Sequence, residues 1–409
     1  MEEVVHQTAF EAEADVQAGR RCHPASCRPE DGASCRSQPA CGGLARPPVM
    51  LEGLMTSSVG ICGIGTAAPD GVIGRQESLR LARLAVEGGE ESKLAALYEG
   101  SGVHSRSLLH GEKQLADRIL EPLGDHGRST RDRLEHYGDA AVDMACDSAR
   151  IALMEAGAEA GEVTHLVTVS CTGAESPGPW LGIQNRLGLN EGIARTHVGF
   201  MGCHGALNGL AAARAFASEH PDHVVLLVCV EVCSIHYHVG GESWDRQVAN
   251  AIFADGAASA VVAQRSGGPR LAGFSSRLFP GTSELMSWRI GDHGFDMRLS
   301  PRVPVVLKRA VSPWITSWFK GLGLDFDDIG AWAVHPGGRD ILEGVRQGLG
   351  LEPEQLEPSL NILRNHGNMS SSTVLWILRD LITSGCRAPV ACLAFGPGLV
   401  GEGMLLVDE

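Results

Sequence analysis

Cys203 is the residue of this chain whose setting most invites covalent chemistry. It stands in Gly202-Cys203-His204-Gly205, after the short apolar segment 198–201 and at the head of an Ala- and Leu-rich stretch, 203–220, that reads as a buried helix. The N-terminal end of a helix carries partial positive charge and favours a thiolate over a thiol. Flanking glycines allow a tight turn and the close approach of a substrate. Position alone fits a buried structural cysteine equally well, as it does for Cys229 within its apolar run. A reactive thiol needs a proton partner and a group that stabilises negative oxygen.

Two further residues offer those roles. His335 ends an apolar run in Val334-His335-Pro336-Gly337-Gly338, just before a second helical pattern. Turns between strand and helix are where open α/β sheets display functional groups, and the rigid Pro-Gly-Gly context sets this histidine apart from the other fifteen. Asn368 lies in His366-Gly367-Asn368-Met369-Ser370-Ser371-Ser372, at the entrance to a helix predicted over 371–383. An Asn there serves ordinarily as a helix cap. Its amide can also donate to a developing oxyanion.

The elements that must carry these residues alternate between strand and helix. Apolar runs at 59–64, 163–170, 224–231 and 257–263 read as strands, the third nearly continuous and so covered on both faces. A long helix is predicted over 132–156, its apolar side formed by Leu134, Ala141, Met144, Ala145, Ala152 and Ala156. The second half repeats the texture: helices at 304–319, with a kink expected at Pro313, and at 339–349, and strands at 329–334, 390–395 and 404–407. This is the pattern of a layered α/β body. Residues 1–55 differ: rich in Glu, Ala, Arg, Pro and Cys, without sustained periodicity, they read as a flexible extension. Five acidic residues, Glu2, Glu3, Glu11, Glu13 and Asp15, speak against a transit peptide there.

Bulk composition narrows the class. The 409 residues suffice for a body built from two halves, and 44% hydrophobic with 20% charged residues is ordinary for a soluble enzyme. No run approaches the ~20 apolar residues of a membrane span. A net charge of -15 argues against nucleic acid as the main partner, and an anionic ligand would need a local basic patch. Eight of the twelve cysteines lie in or beside apolar runs, as free thiols of a reducing, cytoplasmic compartment do. The other four, Cys22, Cys27, Cys35 and Cys41, match no familiar zinc spacing.

Taken together, these motifs resemble the chalcone synthase-like type III polyketide synthases. The similarity runs from about Ser57 to the C-terminus, carried by Gly202-Cys203, His335-Pro336-Gly337-Gly338, Gly367-Asn368-Met369-Ser370-Ser371 and Phe395-Gly396-Pro397-Gly398. The last motif separates this family from ketoacyl synthases that use a carrier protein. The resemblance implies a thiolase-like five-layer αβαβα fold from two similar halves, 56–265 and 266–409, and a homodimer. It implies a triad of Cys203 as nucleophile and acyl carrier, His335 as its partner and Asn368 as enolate stabiliser. An acyl-CoA starter would load on Cys203 and be extended by decarboxylative Claisen condensation with malonyl-CoA, then cyclised to a pyrone, resorcinol or related aromatic product. No metal or cofactor is implied.

The same resemblance marks Phe253 as a gatekeeper and Gly396, Pro397 and Gly398 as cavity wall. Met297 takes the place of a second gatekeeper Phe, and His236 and Trp288 stand at positions that are smaller in chalcone-forming members. Lys93 remains of the basic CoA cluster, Ala96 and Gly100 replace its other members, and Arg106 is a candidate to compensate. Ser176 replaces a methionine that crosses the dimer interface, and Ala394 the first glycine of Gly-Phe-Gly-Pro-Gly. These departures fit a bacterial-type member with its own starter. The competing readings are an initiating β-ketoacyl carrier-protein synthase, whose basic docking patch is not evident, and an inactive thiolase-like scaffold, which the three triad residues oppose. A cysteine hydrolase lacks its usual local signatures.

Overall fold

Strand Val224–Val232 shows how the sequence builds the layers. All its residues are buried, and they alternate between two cores. Val225, Leu227 and Cys229 pack with Ala206, Leu207 and Leu210 of helix Gly205–Glu219. Val224, Leu226, Val228 and Val230 pack with helix Tyr137–Glu155 on the other face. Strand Val390–Gly396 does the same in the second half. Val390, Cys392 and Ala394 join the first core, beside helix Thr373–Thr383, while Ala391, Leu393 and Phe395 face helices Val303–Gly321 and Arg339–Leu349. Helix, sheet, paired helices, sheet and helix make five layers. Each fully buried Val or Leu contributes about 1.5–3 kcal/mol.

The computed structural model describes residues 58–86, 91–121, 127–240, 243–265 and 268–408. The extension predicted over 1–55, with its four cysteines, lies outside them. Nine strands run in the order Ala331–Val334, Val390–Gly396, Val400–Val407, Arg270–Leu278, Gly60–Ala67, Asp255–Ala263, Val224–Val232, His165–Ser170 and Ala194–Gly199. From the centre outwards, each half reads antiparallel, antiparallel, then parallel. Between the two halves of the sheet, strand Gly60–Ala67 pairs with strand Arg270–Leu278 at Gly60 and Arg270, and Leu271 N donates to Val59 O at 3.0 Å. The first half adds a further parallel strand, Ala194–Gly199, that leads to Cys203. Among the described residues, no helix is long and apolar enough to cross a membrane.

Close layer contacts need small residues. A Cβ at Gly65 would lie 2.0 Å from the Ser148 carbonyl of helix Tyr137–Glu155, so that helix rests directly on strand Gly60–Ala67. The helix expected over 132–156 divides into Thr130–Leu134 and Tyr137–Glu155. Next to the division, the buried guanidinium of Arg133 donates to the carbonyls of Ile235 and Tyr237, both at 2.8 Å. Helix Val303–Gly321 continues through Pro313. The hairpin Met286–Gly291 and Gly294–Leu299 was not legible in the sequence, because its apolar and polar residues alternate too weakly.

Candidate active site

Both central helices begin in a short 3-10 turn, and the candidate nucleophile occupies the first. Gly202–His204 forms that turn, and helix Gly205–Glu219 follows. Gly202 adopts φ +71, and a Cβ there would meet the Pro397 ring at 2.4 Å. The Gly396-Pro397-Gly398 loop therefore packs against the turn that carries Cys203, and a Cβ on Gly396 would strike His204 at 2.4 Å. We expect Gly202→Ala to cost at least about 1–3 kcal/mol through left-handed strain and this clash, read by urea unfolding.

The second helix start carries Asn368. Its backbone pairs with the segment around Phe253: Asn368 N donates to Ile252 O at 2.9 Å, and Ala254 N to Asn368 O at 2.9 Å. Its side-chain Oδ1 accepts from Ser370 N at 2.8 Å, which leaves the NH2 to donate. The Cys203 sulfur lies 3.7 Å from Ser370 Oγ, and hydrogen bonding from Ser370 and Asn368 works against the burial that raises its thiol. His335 follows strand Ala331–Val334, its backbone N bonded to Leu393 O at 2.8 Å. Its buried ring nitrogens have no partner among the described residues.

Burial dominates the electrostatics. It pushes the Cys203 thiol up to about 12 and His335 down to about 3, the latter helped by His204. Here the structure differs from the expectation that the helix end favours the thiolate. One helix terminus supplies less than full desolvation removes. A lone thiolate or a lone imidazolium is disfavoured here. Moving the proton from sulfur to imidazole creates both charges together and leaves the site neutral overall.

Sequence reasoning missed a buried polar network beneath the thiol. Glu231, fully buried, accepts from Ser371 Oγ at 2.5 Å, Thr172 Oγ1 at 2.8 Å and Cys171 N at 3.0 Å. Desolvation raises its pKa against those bonds. Cys171 Sγ lies 3.3 Å from both Glu231 Oε1 and Ser370 Oγ, so the network extends to the residue beside Cys203. The signal was available: a glutamate closing the apolar run 224–231 is a charge that burial obliges to find partners.

The aromatic positions converge on one wall. Trp288 stands 6.1 Å from Phe253 and 5.9 Å from His236, and its Nε1 donates to Cys171 O at 2.7 Å. Met297 pairs directly opposite Trp288 in the hairpin. His236 stacks on Phe295 at 4.0 Å; its Nε2 donates to Thr172 O, and its Nδ1 accepts from Phe295 N. Burial drives it down to about 3, so it is a neutral wall and not an acid. A space of about 20 Å³ lies beside His236, Phe253 and Trp288, lined also by Arg106, Cys233, Ser234 and Asn250.

The CoA candidates divide. Lys93, Ala96 and Gly100 lie exposed along helix Glu91–Gly100. Arg106 does not belong with them: it is 1% exposed, with its guanidinium donating to Phe253 O at 2.5 Å, which takes it away from any surface phosphate. Ser176 lies on an exposed loop, and Ala394 is buried in the central core. A cleft of about 790 Å³ that sequence reasoning missed gathers Arg75, His104, Arg339, Arg346 and Arg364 with the acids Glu99, Asp340 and Glu343, of which Glu99 pairs with Arg75 and Glu343 with Arg346. Its basic residues are scattered in sequence, which hid them.

The duplicated five-layer architecture, with a cysteine heading a central helix, defines a thiolase-like enzyme. Residues 55–266 match the chalcone and stilbene synthases, N-terminal domain, and residues 271–408 their C-terminal domain. The chain belongs to the chalcone and stilbene synthase family and is a type III polyketide synthase, an acyltransferase. It is 33% identical to a 1,3,6,8-tetrahydroxynaphthalene synthase of Streptomyces peucetius, covering 78% of this chain and 84% of that one. An alpha-pyrone synthesis polyketide synthase-like protein of Mycobacterium tuberculosis is 29% identical, covering 84% and 89%. The solved structure of PKS-I from the brown alga Ectocarpus siliculosus superposes with a TM-score of 0.79 at 28% identity, covering 86% and 98%.

Proposed function

We propose that Cys203, His335 and Asn368 are the catalytic triad, and that they load an acyl-CoA starter and extend it with malonyl-CoA. The supporting observation is the Asn368 amide: its oxygen is committed to Ser370 N and its NH2 is free for the sulfur side. On loading, the Cys203 proton passes to His335 as sulfur attacks the starter thioester. Thiolate exchange expels CoA, which leaves an acyl-Cys203. Malonyl-CoA then loses CO2, and the enolate oxygen is held by His335 and Asn368 until its carbon attacks the acyl-Cys203 carbonyl.

The domain division is 56–265 and 266–409, and the enzyme acts as a homodimer. The CoA phosphates are assigned to Lys93, exposed on helix Glu91–Gly100, and to the arginines of the 790 Å³ cleft. The eight free thiols among the described residues fit the reducing cytoplasm. The product is a small pyrone, resorcinol or related aromatic polyketide, since one relative is named for alpha-pyrone synthesis and another for tetrahydroxynaphthalene. The aromatic wall favours compact chains. Trp288→Ala is therefore expected to admit bulkier starters or further extensions, read as heavier products by mass spectrometry. An unchanged product set would remove Trp288 as the limit on size. Purified protein incubated with malonyl-CoA and a panel of aliphatic and aromatic acyl-CoAs, with product masses as readout, tests the whole reading. Turnover only with malonyl carrier protein would overturn it in favour of a ketoacyl synthase.

A further inference from the structure

At the far end of the first sheet half, three side chains with metal-binding chemistry converge. His165 begins strand His165–Ser170, Glu219 ends helix Gly205–Glu219, and His223 immediately precedes strand Val224–Val232. Their ligand atoms lie within 4.8 Å of one another. A tetrahedral ion with bonds of ~2.0–2.1 Å would hold its ligands about 3.4 Å apart, so closure needs a shift of roughly an ångström. Glu219 is exposed and free to make it.

The histidines are also held as metal ligands are. His223 Nδ1 lies 2.9 Å from the Phe216 carbonyl, which can only accept, so the proton sits on Nδ1 and Nε2 keeps its lone pair. His165 Nδ1 lies 2.9 Å from Thr164 Oγ1. That hydroxyl is itself tied to Val224, donating to its carbonyl at 3.0 Å and accepting from its N at 3.1 Å. With its proton directed to Val224, the hydroxyl accepts from His165, and again Nε2 is left bare. A partner on one ring nitrogen that fixes the tautomer and frees the other is the usual support of a histidine ligand. Phe216 stacks on His165 at 5.0 Å, and the two imidazoles lie 4.7 Å apart.

We propose that His165, Glu219 and His223 bind a first-row divalent cation of the zinc class, with water or the neighbouring His220, 5.4 Å from the His223 ring, in the fourth position. Two imidazoles and one carboxylate suit such an ion better than a hard alkaline-earth cation. The site stands at the strand starts, whereas Cys203 and His335 follow strand ends, so the strand length of about 20 Å separates it from the chemistry. The ion clamps the tail of the helix whose head carries Cys203 to two strands of the sheet, which makes it a structural clamp.

The test uses the full chain, stripped with chelator and titrated with Zn2+ and Co2+. The parent should bind one equivalent more than the His165→Ala/His223→Ala variant, with Co2+ bands of nitrogen and oxygen ligation and no sulfur charge transfer. Any cysteine-ligated equivalent elsewhere is common to both proteins and cancels in the difference. Glu219→Gln should weaken the site about tenfold or more. Zn2+ should raise the Tm of the parent and not of the variant, while polyketide formation is unchanged. His223→Gln, judged folded by circular dichroism, guards against misfolding. Equal stoichiometry and affinity in the parent and in a folded double variant would overturn the site.

Discussion

Cys203→Ala is expected to abolish acyl loading and lower product formation by at least about 10⁴-fold. The measurement is intact-protein mass after incubation with a starter acyl-CoA: the parent gains the acyl mass and the variant does not. Cys203→Ser should recover little, because a hydroxyl is a far weaker acid than a thiol and this site already opposes charge separation. Decarboxylation of malonyl-CoA needs only enolate stabilisation. The Ala variant should therefore retain part of that activity while forming no carbon-carbon bond. Normal turnover by Cys203→Ala would remove the acyl carrier from the mechanism.

Removing the proposed enolate donors should have the next largest effect. Loss of one oxyanion-type donor costs roughly 10²–10³-fold, so Asn368→Ala and His335→Ala should each slow malonyl-CoA decarboxylation by that factor. Asn368→Ala also leaves Ser370 N without its acceptor, a penalty of about 1–3 kcal/mol, so a slow enzyme could simply be a loosened one. Asn368→Asp separates these causes. It keeps an oxygen for Ser370 N and replaces the donating NH2. We expect near-parental thermal unfolding with decarboxylation still lost. Parental decarboxylation in Asn368→Asp and His335→Ala would contradict the assigned roles.

Local sequence specified the interior elements well. The run 224–231 became a fully buried strand, and helix Arg339–Leu349 formed over the residues that its periodicity predicts. Strong apolar periodicity leaves one way to bury a face. Elements held by distant partners were less legible. Beside the helix break, carbonyls at Ile235 and Tyr237 hold the guanidinium of Arg133, and nothing near residue 133 announces them. Arg106 looked available to a phosphate until the fold turned it to the Phe253 carbonyl.

The sequence by itself determined the class of chemistry. A cysteine between glycines, a histidine before Pro-Gly-Gly and an Asn before a serine run are local features, and their order along the chain carries the family resemblance. Tertiary structure decided what those groups experience. It buried the thiol and the imidazole until each alone prefers to be neutral, committed the Asn368 oxygen to Ser370, and set Glu231 and Cys171 beneath Cys203. It also closed Trp288, His236 and Phe253 into one wall. Residue type and spacing are properties of the chain, whereas desolvation and cavity shape depend on groups that only folding brings together.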